Sequence, residues 1–419
     1  MTAITFPIKA RRELSKRASF GLLASSLVAL LASSSAPTPL YESYQQRWGF
    51  SDVTITVIFG VYAVAVLISL LIFGSLSDHV GRRPVLGAAL VTQALVMVLF
   101  AFAGNLDALL LARVLQGLAT GAALGAISAG LVDLHAAHGA VANAASAMAG
   151  TASGALGSAV FVQLLPAPTK LIYLALGVVF LVQATGILNA PESSPRRHGA
   201  LLALRPTLAI PPRARGALLI AAPSLVAVWA LAGFYGSLGP SLAALITGSS
   251  SVILGGLTVF IVAGSASLTI LTFHRLEARR FALVGNILVV VGVAIVLWSL
   301  SLGSAPVFFV GTALAGAGFG GGFQGGLRTI VPLAEPGERA GLLSIAYLIS
   351  YLAMGLPAIG AGILATHSGL AATAREFGGA VIALSATTAL GLALSARRNA
   401  QRVETVPALS PCLSTGQAA

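Results

Sequence analysis

The sequence predicts an all-α membrane protein with twelve transmembrane helices in two bundles of six. Only 9% of its 419 residues are charged, whereas 57% are hydrophobic. A soluble domain carries about 25% charged residues, and so few charges could not cover a water-exposed surface. Long apolar segments recur along the whole chain, each near the length that a bilayer requires. A soluble enzyme, a nucleic-acid-binding domain and a disordered protein are therefore excluded.

The predicted spans follow from the length of these apolar segments, since a helix needs about 20 residues to cross the hydrocarbon core. In the first half they lie at 19–39, 53–76, 84–104, 108–132, 143–165 and 171–189. In the second half they lie at 216–238, 252–273, 281–303, 306–327, 341–365 and 371–396. Proline, glycine, asparagine and charged residues mark the breaks. The fourth span is separated from the fifth only by Asp133, His135, His138 and Asn143.

The basic residues predict the orientation of the spans. Most basic residues fall on one side of the membrane: in residues 1–18, at Arg82 and Arg83, in 190–215, in the loops after the eighth and tenth spans, and in the tail. The other side holds Arg47, Lys170 and Arg375. Positive charge marks cytoplasmic loops, so both termini are expected in the cytoplasm, and the expected location is a bacterial cell inner membrane.

The longest polar interruption, residues 190–215, is rich in proline and arginine and falls after the sixth span. It is predicted to link two helical bundles. The expected organisation is a cytoplasmic segment 1–18, a bundle 19–189, a cytoplasmic linker 190–215, a bundle 216–396 and a cytoplasmic tail 397–419.

The two halves also resemble each other. Glycines recur at every fourth position in the fourth and tenth spans, as Gly117, Gly121, Gly125 and as Gly318, Gly322, Gly326. The basic pair after the second span recurs after the eighth at nearly the same separation. This pattern predicts a six-plus-six repeat, in which small residues let helices approach closely. Chance spacing in a chain with 47 glycines is the alternative.

A specific motif follows the second span. Residues 74–84 read GSLSDHVGRRP, which resembles the signature loop G-x-x-x-D-[RK]-x-G-R-[RK] of the major facilitator superfamily. His79 stands where that pattern has Arg or Lys. The resemblance extends over about residues 18–398 and implies two six-helix bundles related by a pseudo-two-fold axis.

The resemblance implies that this loop is a conformational latch formed by Gly74, Asp78, Gly81, Arg82 and Arg83. Glycine permits a tight turn, and an aspartate at a helix end can accept charge-assisted hydrogen bonds from arginine. In the family the aspartate approaches the start of the eleventh span, here near Gly337 to Gly341, and closes the cytoplasmic side. The alternative is that these charges only orient the protein.

The fourth span carries Arg113-Val114-Leu115-Gln116-Gly117, which resembles a second family pattern, R-x-x-Q-G. In the family this arginine is linked to proton-coupled transport. A charge inside the membrane is costly and usually faces the protein interior. An arginine that extends to the outer surface is the alternative. Coupling is therefore predicted to depend on Arg113, with Asp133 near Arg82 or Arg83 when the cytoplasmic side closes.

A substrate cavity is expected between the halves. Candidate lining residues are polar or aromatic side chains of the inner spans: Ser25, Ser26, Ser33, Ser34, Arg113, Gln116, Trp229, Tyr235, Phe323, Gln324, Tyr347 and Tyr351. No carboxylate occurs in the middle of any predicted span, which favours neutral, amphiphilic or anionic substrates. The sequence also lacks a phosphate-binding loop for nucleotide hydrolysis, so an ion or substrate gradient must drive transport.

The predicted function is a secondary active transporter that exports drugs or metabolites by proton antiport. The alternative is a proton symporter that imports a small polar metabolite, such as a sugar or organic acid. The expected partners are a small-molecule substrate, the proton and the lipid bilayer. No enzyme activity, cofactor, metal or nucleic-acid partner is expected, and the chain is expected to be a monomer.

Overall fold

The protein is an all-helical bundle in a computed structural model that describes residues 14–194, 204, 206, 208–335 and 337–404. Its twelve long apolar helices confirm the predicted fold class. The first six are α1 (Lys16–Ser35), α3 (Asp52–Phe73), α5 (Arg82–Ala101), α6 (Leu106–Leu134), α7 (Ala136–Leu164) and α8 (Leu171–Leu188). The last six are α9 (Pro212–Ser237), α11 (Val252–Phe273), α12 (Ala278–Leu302), α13 (Ala305–Ile330), α14 (Arg339–Ser368) and α15 (Leu370–Glu404).

Three shorter helices lie at the ends of spans: α2 (Tyr41–Trp48), α4 (Ser77–Val80) and α10 (Gly239–Thr247). Parts of the predicted terminal segments and linker, at 1–13, 195–203, 205, 207 and 405–419, lie outside the described residues. The end of the molecule that holds Arg82, Arg83, Arg279 and Arg328 is called the basic end, and the opposite end the far end.

Helix boundaries differ from the prediction where a cap outweighs hydropathy. The helix α7 begins at Ala136, before the predicted position 143, because the ring of His135 accepts a hydrogen bond from the His138 amide and caps it. In the same way Asn105 caps α6 through the Ala108 amide, at 2.9 Å. Side-chain oxygen or nitrogen acceptors satisfy the free amides of a first turn, so a polar residue can start a helix.

The two halves have the same internal packing. Within each half the second span packs on the fourth, the third on the fourth and sixth, and the first on the fifth. Between halves, α3 packs on α14 and α7 packs on α11. In both contacts the second span of one half packs on the fifth span of the other, as a pseudo-two-fold axis requires.

The glycine repeat has a different register from the predicted one. Gly117 and Gly121 pack on the backbone of α3, and the glycines that pack on the equivalent α11 are Gly316 and Gly320. The predicted Gly318 instead packs on α12, because a shift of two residues turns it to another face of α13. The predicted repeat therefore stands, but the ladder beginning at Gly318 is not its structural equivalent.

Side chains on the outside of the bundles are apolar. Leu95, Val178, Leu219 and Leu268 are among the large hydrophobic residues that are mostly exposed. Apolar surface of this extent suits a hydrocarbon solvent rather than water.

Candidate functional site

A cavity of about 120 Å³ lies between the two bundles. Its wall is formed by α1, α3 and α7 on one side and by α9, α11, α13 and α14 on the other. The side chains that line it are mostly aromatic or apolar: Leu31, Phe59, Tyr62, Met148, Trp229, Tyr235, Val259, Val262, Phe319, Tyr351 and Met354. Hydroxyl groups of Ser34, Ser35, Thr38 and Thr151 supply the polar part, and no charged residue belongs to this described lining.

Trp229 is the centre of an aromatic cluster in this wall. Its ring centroid lies 4.9 Å from that of Tyr351, 5.3 Å from Phe323 and 6.2 Å from Phe319. Its Nε1 atom is buried and has no hydrogen-bond partner among the described residues. A buried donor without an acceptor is costly, so this atom is suited to a ligand that brings an acceptor.

Of the predicted cavity residues, Ser34, Trp229, Tyr235 and Tyr351 line the wall, and Phe323 packs against Trp229 outside this lining. The hydroxyl of Tyr235 is paired with that of Thr312, at 2.9 Å.

Apart from Arg113 and Gln116, five other predicted cavity residues do not belong to this lining: Ser25, Ser26, Ser33, Gln324 and Tyr347. Successive helical residues turn by about 100°, so Ser25 lies on the face of α1 opposite Ser34. Its hydroxyl lies 3.5 Å from the amide nitrogen of Gln183 on α8. Ser33 is fully buried, and its hydroxyl bonds the Leu30 carbonyl within α1.

Several lining residues were missed from the sequence. Leu31, Ser35 and Thr38 share a face with Ser34, and Phe59 and Tyr62 share a face of α3. The spacing of three and four residues is the signal that could have grouped them. It was not decisive because serine and apolar residues occur on every side of α1.

Arg113 and Gln116 join α6 to α1. Nη1 of Arg113 donates to the carbonyl oxygen of Ser34 at 2.9 Å and to Oε1 of Gln116 at 2.7 Å. Nε2 of Gln116 donates to the carbonyl oxygen of Ser33, also at 2.9 Å. The R-x-x-Q spacing therefore lets the side chains of Arg113 and Gln116 bind the carbonyl groups of two successive residues of α1, and the second of these, Ser34, lines the cavity.

The Arg113 guanidinium is fully buried, with only neutral partners among the described residues. Nη2 donates to the hydroxyl of Tyr41. Its carbon Cζ lies 5.1 Å from the ring centroid of Tyr62 and 5.6 Å from that of Tyr41, which are cation–π distances. A positive charge is thus held beside the cavity without a carboxylate, and Arg113 does not extend to the surface.

Contacts between the bundles close the far end. Thr38 donates to the carbonyl oxygen of Gly236 at 3.1 Å, and Ser251 lies 3.4 Å from the Gln163 side-chain oxygen. A Cβ atom on Gly256 would lie 2.6 Å from Cβ of Ala159, so α7 and α11 touch nearly backbone to backbone. The cavity is therefore blocked from the far end in this conformation.

The loop after α3 contains a backbone turn that glycine alone tolerates well. Gly81 has φ of +105°, and a Cβ there would lie 2.8 Å from Oε2 of Glu192. The Glu192 carboxylate accepts hydrogen bonds from two backbone amides: Oε1 lies 2.9 Å from the Arg82 nitrogen, and Oε2 lies 3.1 Å from the Arg83 nitrogen. Glu192 was not predicted as a site residue, although an acid directly after the sixth span was a visible signal.

Arg82 is the centre of an ion-pair network at the basic end. Its guanidinium lies 2.8 Å from Oδ2 of Asp133 and 3.2 Å from Oδ1 of Asp78. Arg83 instead donates to the carbonyl oxygen of Leu188. Gly74 lies against Gly125, whose Cβ would be 2.9 Å from the Gly74 oxygen. The loop is thus fixed to α6 and to the end of α8 within the first bundle.

Every ion pair of the described residues joins groups of one bundle, and none crosses the basic end. Asp78 has no hydrogen bond to the described part of Gly337 to Gly341. The neighbour of Gly341 is Ala209, 3.1 Å from where its Cβ would lie. Toward the basic end the bundles are joined instead by Ser267 of α11, whose hydroxyl donates to the carbonyl oxygen of Ala145 of α7 at 2.9 Å. The predicted latch contact is absent from this conformation.

A metal site is not formed by the described side chains, which contain no cluster of three or more His, Cys, Asp or Glu residues. The rings of His135 and His138 are 4.3 Å apart, but they lie on the exposed turn between α6 and α7.

Solved structures of transporters share this fold. A mutant of the nucleoside transporter NupG is 12% identical, with a TM-score of 0.68 over 90% of this chain and 100% of that one. The human organic anion transporter MFSD10 is 18% identical, with a TM-score of 0.65 over 90% of this chain and 100% of that one. A bacterial homologue of the human lysosomal transporter Spinster, in an inward-facing and occupied conformation, is 12% identical, with a TM-score of 0.64 over 90% and 96%.

Similarity in sequence is more local. The uncharacterized MFS-type transporter YybF of Bacillus subtilis is 28% identical over 81 residues, which are 19% of this chain and 20% of that protein. The match thus spans about a fifth of that relative's length. The sequence model of the Major Facilitator Superfamily matches residues 22–273, more than half of the chain. With twelve spans, the signature loop and the shared fold, the chain belongs to the Major Facilitator Superfamily of transporters.

Proposed function

We propose that this transporter exports small, largely apolar molecules in exchange for protons. The observation that carries the proposal is the uncharged, aromatic wall of the central cavity. Apolar surfaces bind apolar ligands, and a few placed donors fix their orientation. A dry cavity of about 150 Å³ holds a molecule of benzene's size, so the present cavity suits a small ring, and larger substrates require it to widen.

The basic end is proposed to face the cytoplasm of a bacterium, because positive charge marks cytoplasmic loops. The closed far end then faces outward, so this conformation is not open to the outside. Export requires the opposite conformation, in which the contacts at Gly236, Gln163 and Gly256 separate. Asp78 would then approach the start of α14 and latch the basic end, while residues 190–215 join the bundles of a monomer in the inner membrane.

Coupling is proposed to depend on Arg113. An arginine that has only neutral partners retains a charge that nothing else on the described residues neutralises. An anionic group of the substrate, or a change of contact between α6 and α1, would alter the stability of this charge. Such a difference between two conformations is what couples a gradient to transport.

The direction of transport is tested in cells with and without the protein, using labelled apolar and weakly anionic aromatic compounds. Export predicts lower accumulation in the cells that contain the protein. Higher accumulation would instead support the alternative, which is uptake of a small metabolite.

Coupling is tested by a proton uncoupler and by two substitutions. Arg113→Ala should reduce transport to background, and Arg113→Lys should be intermediate at best, because lysine keeps the charge but loses the planar fork. The matched control is Arg280→Ala, since the Arg280 side chain is 81% exposed. Flux that survives both the uncoupler and Arg113→Ala would show a facilitator rather than a proton-driven exporter.

A further inference from the structure

A second cavity lies inside the second bundle, near the basic end, and is here called the C-bundle cavity. It has a volume of about 140 Å³ and is enclosed by α9, α12, α13 and α15. It does not share residues with the central cavity between the bundles. A site in this place is therefore independent of the proposed transport function.

Polar atoms without partners face this cavity. Oγ of Ser224, Oδ1 of Asn286 and Oγ1 of Thr388 line it, and each is buried without a hydrogen-bond partner among the described residues. The three residues are at most 2% exposed. Buried polar groups are normally paired with protein, water or a ligand. The hydroxyl groups of Ser224 and Thr388 can donate to a ligand in this space, whereas Oδ1 of Asn286 can only accept, so the two hydroxyl groups are the ones that support an anionic occupant.

The half-buried Arg279 adds a positive charge to the same lining. Its guanidinium donates to the hydroxyl of Ser395 at 2.7 Å and to the carbonyl oxygen of Leu392, both neutral. The described residues give Arg279 no ion pair. A partly buried arginine without a counter-ion is expected to attract one.

The first bundle shows what fills the equivalent position. A pocket of about 30 Å³ lies there between α1, α5, α6 and α8, which are the first, third, fourth and sixth spans of that half. Its arginine, Arg82, is paired with Asp78 and Asp133, and Glu192 lies beside it. The second bundle has the same arrangement of helices around a larger space but lacks these carboxylates on the described residues.

We infer that the C-bundle cavity binds an anionic group, a phosphate or a carboxylate, which pairs with Arg279 and accepts hydrogen bonds from Ser224 and Thr388. The group substitutes for the carboxylates that the first bundle supplies from its own chain. A free anion and the headgroup of an anionic lipid have this same chemistry, and basic pockets between spans on the cytoplasmic side are suited to either.

The test uses the full chain in nanodiscs of phosphatidylcholine. In one arm inorganic phosphate is titrated, and in the other a fraction of the lipid is replaced by phosphatidylglycerol. The midpoint of thermal unfolding is measured in each. A rise with phosphate alone identifies a free anion as the ligand, and a rise with phosphatidylglycerol alone identifies a lipid headgroup. No rise in either arm overturns the inference.

Two variants and a control separate a site from general surface charge. Arg279→Gln should weaken binding at least about tenfold, because a charge-assisted hydrogen bond is lost. The control Arg280→Gln removes the adjacent, exposed arginine and should bind as the wild type does. Equal loss in both variants would show that only surface charge is involved.

The second variant, Gly326→Leu, fills the cavity and leaves Arg279 in place. A Cβ on Gly326 would lie 3.8 Å from the Leu225 side chain, which is ordinary contact, so the first atom of the new side chain fits. It should also lose binding at least about tenfold. Binding that persists in this variant would place the anion outside the cavity and overturn the inference, even if Arg279→Gln failed to fold.

Discussion

The closure of the far end depends on a glycine that cannot be enlarged without moving a helix. Gly256 of α11 faces α7 across the interface between the bundles. A methyl group there would lie 2.6 Å from Cβ of Ala159 and 2.9 Å from the carbonyl oxygen of Ala155. Non-bonded carbon atoms rest about 3.5–4.0 Å apart, so Gly256→Ala requires the two helices to separate by roughly 1 Å.

The size of the effect follows from the cost of overpacking, which is about 1–3 kcal/mol. That cost applies only to the conformation closed at the far end, since the helices part in the other one. An equilibrium between the two conformations should therefore shift by about 5- to 150-fold toward the one open at the far end.

The shift can be measured by thiol labelling of intact cells. Ala232, which lines the central cavity, is changed to cysteine in a Cys412→Ser background, and a membrane-impermeant maleimide is added outside. Labelling should be faster in Gly256→Ala than in the parent. The matched control is Gly264→Ala on the same helix, where the new Cβ would lie 3.8 Å from that of Ala152. Equal labelling rates in the two variants would refute the reasoning.

Three further predictions concern the loop and the cavity. Gly81→Ala should lower the thermal unfolding temperature, because a φ of +105° with a ψ of +149° costs alanine about 1–3 kcal/mol and its methyl group meets Glu192. The control Gly87→Ala, where the methyl group enters open space, should leave the temperature unchanged, and equal midpoints for the two variants would contradict this. Trp229→Phe keeps the ring but removes the unpaired N–H, so substrates with an acceptor should bind up to about tenfold more weakly in a binding titration and hydrocarbons unchanged. A uniform loss would refute a hydrogen bond to the substrate. Asp78→Asn should abolish transport with normal membrane expression, and normal flux would exclude the latch.

The number of spans could be predicted from the sequence because hydropathy is a local property. The rotation of each span about its own axis could not. A helix whose polar and apolar residues are spread over all its sides does not indicate which side faces the cavity. Ser25 and Ser33 were therefore placed in the cavity, although Ser25 faces α8 and the Ser33 hydroxyl is bonded within α1.

The register of the glycine repeat was not predictable for a related reason. In α13 glycines occupy most faces, and each face packs on a different helix: Gly316 on α11, Gly318 on α12 and Gly322 near α9. Spacing within one helix cannot tell which glycine is equivalent to Gly117, because that depends on the neighbours that the fold supplies. The buried environment of Arg113 likewise required Tyr41, which is distant in sequence.

The segment between the bundles is fastened near both of its ends. Ser194 donates to the carbonyl oxygen of Asp78 at 3.2 Å, and Ala209 packs on Gly341. These two attachments sit on the loop and the helix start that the proposed latch would bring together. The distance between Ser194 and Ala209 should therefore change as the two bundles move relative to each other during transport. Spectroscopic labels at these two positions would measure that distance, and neither position lines one of the two cavities.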